Sequence, residues 1–225
     1  MGDKEVLKYM DVVLRDSDLD TLRGPCFLND QIIAFYFSYL FSSSKSDDIL
    51  LVKPSISVFL AKCEDDKSVE EFAQSCRLSS KRLVLFAIND NDDYGGSHWS
   101  ILVYDRTKNS FLHYDCMEGV NNFHAMKLYD AVKEFMGPGG ESVSKPLGAA
   151  KPESVAVTTP AVFIECKTPQ QSNGYDCGLY VLAIARAICQ RCSHGNNKGD
   201  VISVIEKHVD DSVEINMRSE DEAPV

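Results

Sequence analysis

Apolar positions change their spacing several times along this chain, and each change marks an element. Leu28 to Phe41 (LNDQIIAFYFSYLF) is apolar on nearly every side, as a buried helix would be, with Asn29 or Asp30 placed to cap its first turn. The polar stretch Ser42 to Asp48 then reads as a surface loop. Ser68 and Glu71 form a capping-box pattern that opens a short helix through Cys76. Leu83 to Ile88 (LVLFAI) is a continuous apolar run of strand length, and the polar NDNDDYGG after it predicts a loop. His98–Asp105 and Ser110–Asp115 read as two strands joined by Arg106–Asn109, hence a hairpin.

Phe123 to Met136 is amphipathic at helical spacing and is stopped by Gly137 and Pro138. From Pro138 to Pro160 the composition shifts to Gly, Pro, Ser, Ala and Thr with little periodicity, which predicts a flexible insertion within one domain. Ala161–Cys166 reads as a short strand, Lys167–Asp176 as a loop, and Cys177 to about Gln190 as a strongly apolar helix. A last helix is expected over roughly Asp200–Val209, and residues 210–225 read as an acidic, solvated tail. There is no internal repeat. Central strands with helices on both sides predict an α+β fold, with one domain over residues 1–209.

Length and charge narrow the function. The 225 residues suffice for one well-buried domain, not two of ordinary size. The best candidate membrane run, Leu179–Ile188, contains Arg186 and falls well short of the roughly 20 residues a bilayer needs. The N-terminal MGDKEVLKYMD lacks the apolar centre of a signal peptide, and Val6 breaks the myristoylation pattern at Gly2. A net charge of −11 without a basic cluster opposes binding to nucleic acid. Eight cysteines in a chain with no export signal predict free thiols in a reducing compartment, the cytoplasm or nucleus.

Candidate chemistry begins in the hairpin. If its turn is symmetric, Asp105 faces Ser110 and Asp115 faces Ser100, so His98 lies two positions further along the same face. Such a diagonal pair has Cα atoms about 7–8 Å apart, close enough for carboxylate to meet imidazole. The carboxylate would fix the ring's tautomer and raise the basicity of its other nitrogen, making a general base. A nucleophile is offered by Cys177 in GYDCGLY, where a loop enters the apolar helix and the helix dipole favours thiolate. Gly178 would leave space beside the sulfur, and Gln171 offers an amide for an oxyanion hole.

Taken singly, each residue also has a structural explanation. His98 could bond backbone at the hairpin's start, Asp115 could end a strand, and Gln171 could be a loop amide. Cys63, Cys76, Cys116, Cys166, Cys189 and Cys192 read as inert core thiols, and His113 as a satisfied core histidine. Cys189-x-x-Cys192-x-His194 has ligand-like spacing but lacks the fourth ligand of a structural zinc site, so no metal is expected. No phosphate loop, dinucleotide fingerprint or Gly-x-Ser-x-Gly elbow is present.

In the order His, Asp, Gln, Cys, the segments GGSHWSILVYD, FLHYD and QSNGYDCGLYV resemble the ubiquitin-like-protein proteases, the Ulp and sentrin-specific enzymes. FLND at 27–30 matches their Trp-Leu-Asn-Asp element with Phe27 in place of Trp. The resemblance runs from about Val6 to Val209 and is nearest the compact deneddylases, on FAINDNDDYGGSHWSILVY and on the short N-terminal segment. It implies a papain-like cysteine protease architecture, with a central mixed or antiparallel sheet flanked by helices. It further implies Cys177 as nucleophile, His98 as general base, Asp115 as its orienting partner and Gln171 as oxyanion donor. Trp99 would lie over a narrow channel for a Gly-Gly tail, with Phe27, Asn29 and Asp30 along the substrate surface. Asn91 would belong to a loop, Asn89–Tyr94, that closes on bound substrate. The implied partner is the neddylation modifier (NEDD8/RUB) and its conjugates, cleaved by a monomer without cofactor. SUMO cleavage, a bacterial-type acyltransferase and a non-catalytic modifier-binding module are the alternatives. The resemblance also implies a further terminal helix, which VEINMRSEDEAPV does not show by its periodicity.

Overall fold

A computed structural model of the chain describes residues 2–44, 46–90, 96–136, 160–192 and 200–220. The chain opens with a hairpin, β1 (Glu5–Tyr9) and β2 (Val12–Arg15), followed by α1 (Asp16–Asp20) and α2 (Asp30–Ser44). Next come β3 (Ile49–Val52), α3 (Pro54–Lys62), α4 (Asp66–Ser75), β4 (Leu83–Asn89), β5 (Trp99–Asp105) and β6 (Ser110–Tyr114). It closes with α5 (Asn122–Val132), β7 (Val162–Cys166), α6 (Cys177–Cys192), α7 (Val201–His208) and α8 (Val213–Glu220). One five-stranded sheet has the order β3-β4-β5-β6-β7. It is antiparallel at its two inner pairs and parallel at the outer ones, the mixed sheet of the expected α+β fold.

The sheet divides two cores. Leu83, Leu85, Ala87, Trp99, Ile101, Val103, Leu112 and Tyr114 join the cluster that holds α2 and α6. Val84, Phe86, Ile88, Leu102, Tyr104 and Phe111 join the one that holds α3 and α5. A strand covered on both faces has no polar side to show, so 83–88 reads as an unbroken apolar run. α6 is buried along almost its whole length, with only Arg186, Gln190 and Arg191 reaching outward. The hairpin is symmetric as predicted: Asp105 pairs with Ser110, Tyr104 with Phe111 and Ile101 with Tyr114. Asn109, at φ 47°, closes the turn in the left-handed region that asparagine tolerates better than most residues.

Several elements depart from the sequence reading. The helix expected from Ser68 begins at Asp66. Its cap is Asp65, whose carboxylate accepts the Lys67 and Ser68 amides, while the Ser68 hydroxyl donates to Asp65. α5 ends at Val132, and Lys133–Phe135 continues as a 3-10 turn. The acidic tail holds a helix, α8, which packs on α6 with Val213 and Met217 buried. Two apolar residues four apart make a contact stripe too short to register as periodicity. The same helix grips the loop ahead of α6: the Ser172 amide and hydroxyl both donate to the Glu214 carboxylate. The insertion read over 138–160 lies outside the described residues, Pro160 apart. Among the described residues, no helix is long and apolar enough to cross a membrane.

If α8 is part of the fold, Met217→Ala removes a side chain that is 2% exposed and lowers stability by about 2 kcal/mol or more. Urea denaturation measures this; an unchanged midpoint would return residues 213–220 to solvent.

Candidate active site

The predicted diagonal pair forms at the open end of the β5–β6 hairpin. His98 Nε2 lies 2.6 Å from Asp115 Oδ1, and both side chains are buried. Asp115 is held on every side, since Oδ1 also accepts the Met117 amide at 2.9 Å and Oδ2 accepts the Asn121 amide at 2.9 Å. Burial alone would raise its pKa. The hydrogen bonds from His98, Asn121 and Met117 outweigh burial and hold the carboxyl below its ordinary range. For His98, burial opposes the charged ring, while Asp115 and the Cys177 thiol favour it. The balance pushes its pKa up to about 9. Nδ1 is buried and makes no hydrogen bond of its own, which leaves it as the atom facing the thiol chemistry.

Cys177 is the first residue of α6 and has no exposed surface. The Trp99 indole donates to the Leu28 carbonyl at 2.8 Å, and Leu28 is itself buried. Gly178 does not leave open space beside the sulfur, as the sequence alone suggested. A Cβ there would meet Leu28 Cβ at 2.9 Å, so the missing side chain lets Leu28 seat against the start of α6.

Gln171 is half-buried in the loop leading to Cys177. Its backbone amide donates to the Cys116 carbonyl at 2.9 Å, and its side-chain Nε2 donates to the Asn173 carbonyl at 2.7 Å. The structure therefore brings His98, Asp115, Cys177, Gln171 and Trp99 to one end of the sheet. Phe27 is 44% exposed and Asp30 is exposed beside it, both free to meet a partner surface. Asn29 has structural work: its Oδ1 caps α2 through the Ile32 amide and its Nδ2 donates to Asp18. Asn91 lies outside the described residues.

Sequence reasoning passed over the residues that hold the histidine. Asn121 donates from Nδ2 to the His98 carbonyl at 3.2 Å, and Asn89 donates to the same oxygen at 3.0 Å. Asp90 accepts the His98 amide at 2.8 Å. Short polar residues around a strand end resemble any loop in sequence, so only the pairing of β4 with β5 reveals them. His113 is satisfied in the core, as expected, between Glu165 and Ser100.

His98, Asp115 and Cys116 could each direct one ligand atom into a common space, with those atoms within 4.8 Å of one another. The Asp115 oxygens and His98 Nε2 already bond one another and the backbone, so the geometry serves proton handling. Cys189 and Cys192 are buried in α6, and His194 lies outside the described residues.

An imidazole anchored at Nε2, open at Nδ1 and set against a thiol can take the thiol's proton and return it to a leaving group. On this frame that constellation defines a cysteine protease. Among such enzymes the chain belongs to the Ulp1 protease family, whose C-terminal catalytic domain matches residues 26–222. It is 41% identical over 201 residues to NEDD8-specific protease 1 of Arabidopsis thaliana, covering 87% of this chain and 80% of that one. It is 38% identical over 193 residues to sentrin-specific protease 8 of Rattus norvegicus, covering 84% and 81%. The solved C-terminal Ulp1 protease domain, in complex with Smt3, the yeast ortholog of SUMO, matches it in fold. That likeness has a TM-score of 0.62 at 16% identity, over 97% of this chain and 90% of that one.

Raised above 6.5, the His98 pKa keeps the ring protonated at neutral pH, and the proton leaves as pH rises through about 9. Proteolytic kcat/KM is therefore expected to fall on an alkaline limb near pH 9. Asp115→Asn should lower the rate on the order of 10²–10⁴-fold and shift that limb to lower pH. A rate loss with the limb unmoved would separate Asp115 from the ring's titration.

Proposed function

We propose that this chain is an isopeptidase and peptidase that cleaves after the C-terminal Gly-Gly of a NEDD8/RUB-type ubiquitin-like modifier. It would act on conjugates and on precursors alike. The observation that carries the modifier's identity is the similarity, over more than four-fifths of the chain, to proteases named for NEDD8. All eight cysteines are thiols rather than disulfides, which fits a reducing compartment, and we place the protein in the cytoplasm or nucleus.

In this reading His98 already holds at Nδ1 the proton given up by Cys177, and the sulfur attacks the carbonyl of the terminal glycine as thiolate. The oxyanion takes hydrogen bonds from the Gln171 carboxamide and the Cys177 backbone amide. Collapse of the intermediate expels the lysine or peptide amine, which leaves with the proton held by His98. Water then attacks the thioester, with His98 as base, and frees the carboxylate.

Access explains the demand for glycine. Cys177 has no exposed surface, and Leu28, held by the Trp99 indole and seated against Gly178, is the group we propose an incoming tail displaces to reach the sulfur. A tail without side chains needs the smallest displacement. Phe27 and Asp30, exposed at the rim, would meet the modifier, with Asp30 offering a carboxylate to a basic residue near its C-terminus. Asn91, outside the described residues, completes our proposed contact set.

Three probes test this, each a modifier ending in a C-terminal electrophile: NEDD8, SUMO and ubiquitin. A covalent adduct with the NEDD8 probe, lost in Cys177→Ala, is the expected result. Adduct with the SUMO probe alone would reassign the substrate, and no adduct from folded protein would leave a binding module. Cys177→Ala should retain NEDD8 binding by calorimetry while losing all turnover; loss of binding as well would make the cysteine structural.

A further inference from the structure

The strand ending at Tyr114 delivers Asp115 to His98, and the next residue points a buried thiol at a different catalytic group. Cys116 Sγ lies 3.1 Å from Gln171 Oε1, and the Cys116 carbonyl accepts the Gln171 backbone amide at 2.9 Å. The two residues clasp each other through both main chain and side chain. From this we propose that Cys116 is a positioning residue that orients the Gln171 carboxamide as an oxyanion donor. The proposal rests on the reading of Gln171 given under Proposed function.

The orientation follows from donors and acceptors. A peptide carbonyl can only accept, so the Asn173 oxygen, 2.7 Å away, requires the amide nitrogen of Gln171 on its side. Oε1 is thereby turned toward Cys116, where it needs a donor, and the thiol supplies one. Burial pushes the Cys116 thiol up, with Cys177 and Asp115 adding to the effect, so the sulfur keeps its proton. Nε2 carries two hydrogens, and Asn173 takes one. The other is left for the oxyanion. Donation into Oε1 polarises the amide and strengthens that second N–H as a donor. Without the thiol, Oε1 would be half-buried and unpaired, and the carboxamide could rotate away.

The Cys116 sulfur also falls within 4.8 Å of the nearest His98 nitrogen, so an effect through the histidine has to be told apart. Steady-state hydrolysis of NEDD8 carrying a C-terminal fluorogenic amide does so, using Cys116→Ala, Cys116→Ser, Gln171→Ala and the Cys116→Ala/Gln171→Ala double variant. We expect Gln171→Ala to lower kcat on the order of 10²-fold, as loss of one oxyanion donor does. Cys116→Ala should lower kcat about tenfold with KM unchanged, as expected for an interaction felt only in the transition state. Cys116→Ser, which keeps a donor, should restore most of the rate, and the double variant should be no slower than Gln171→Ala alone. The alkaline limb should stay where the wild type has it.

A Cys116→Ala loss that repeats in full on the Gln171→Ala background, a shifted alkaline limb, or no rescue by Ser would each overturn the positioning role. A full-rate Gln171→Ala would overturn the reading of Gln171 itself, a separate failure. Should Cys116→Ala not fold, Cys116→Val, which fills the space without a donor, carries the same comparison.

Discussion

The reactive end of this molecule depends on a single ionised carboxylate kept out of water. A buried charge is tolerated only when its lone pairs are answered, and Asp115 has three N–H partners, from His98, Met117 and Asn121. Each partner reports on a different piece of the fold. His98 requires the β5–β6 register, Met117 requires the turn after β6, and Asn121 stands at the start of α5. Asn121 then reaches back to the His98 carbonyl, which closes the circuit. Distorting any one piece leaves charge unpaired in the core, so the geometry of the site and the fold are specified by the same bonds.

The sheet supplies the rigidity this circuit needs. Cores on both faces leave β4 to β6 no freedom to slide, because a one-residue slip would exchange the two apolar sets. α6 is fixed against one face, so the cysteine at its first position is placed by the packing of a whole helix. The preceding loop is fastened from outside by Glu214 of α8, which holds Ser172. α8 thus bears directly on the segment that carries Gln171.

Much of this was legible in the sequence, and the reasons are particular. A four-residue turn with Asn109 at its end fixes the hairpin register by counting, and that count placed His98 against Asp115. The apolar run after Cys177 announced a buried helix with the thiol at its start. What stayed hidden depended on neighbours distant in the chain. Gly178 reads as open space until Leu28, 150 residues earlier, is seen to fill it. β3, only Ile49–Val52, is a strand because β4 lies beside it, and α8 is a helix because α6 offers its contact. Cys116 resembled an inert core thiol because a hydrogen bond to a residue 55 positions away leaves no local trace.

The burial of Cys177, the nucleophile we propose, also separates exposure from chemical competence. Of the eight cysteines, only Cys26 is exposed; Cys63, Cys76 and Cys166 are half-buried, and Cys177 is buried next to Gly178, against which Leu28 seats. Small alkylating reagents and oxidants in bulk solvent meet Cys26 first, one residue ahead of the rim that Phe27 forms. A thiol count on the native protein would therefore register Cys26 ahead of Cys177. Burial secludes Cys177 from bulk reagents, which makes the packing around it a shield for the thiol as well as a filter for substrates.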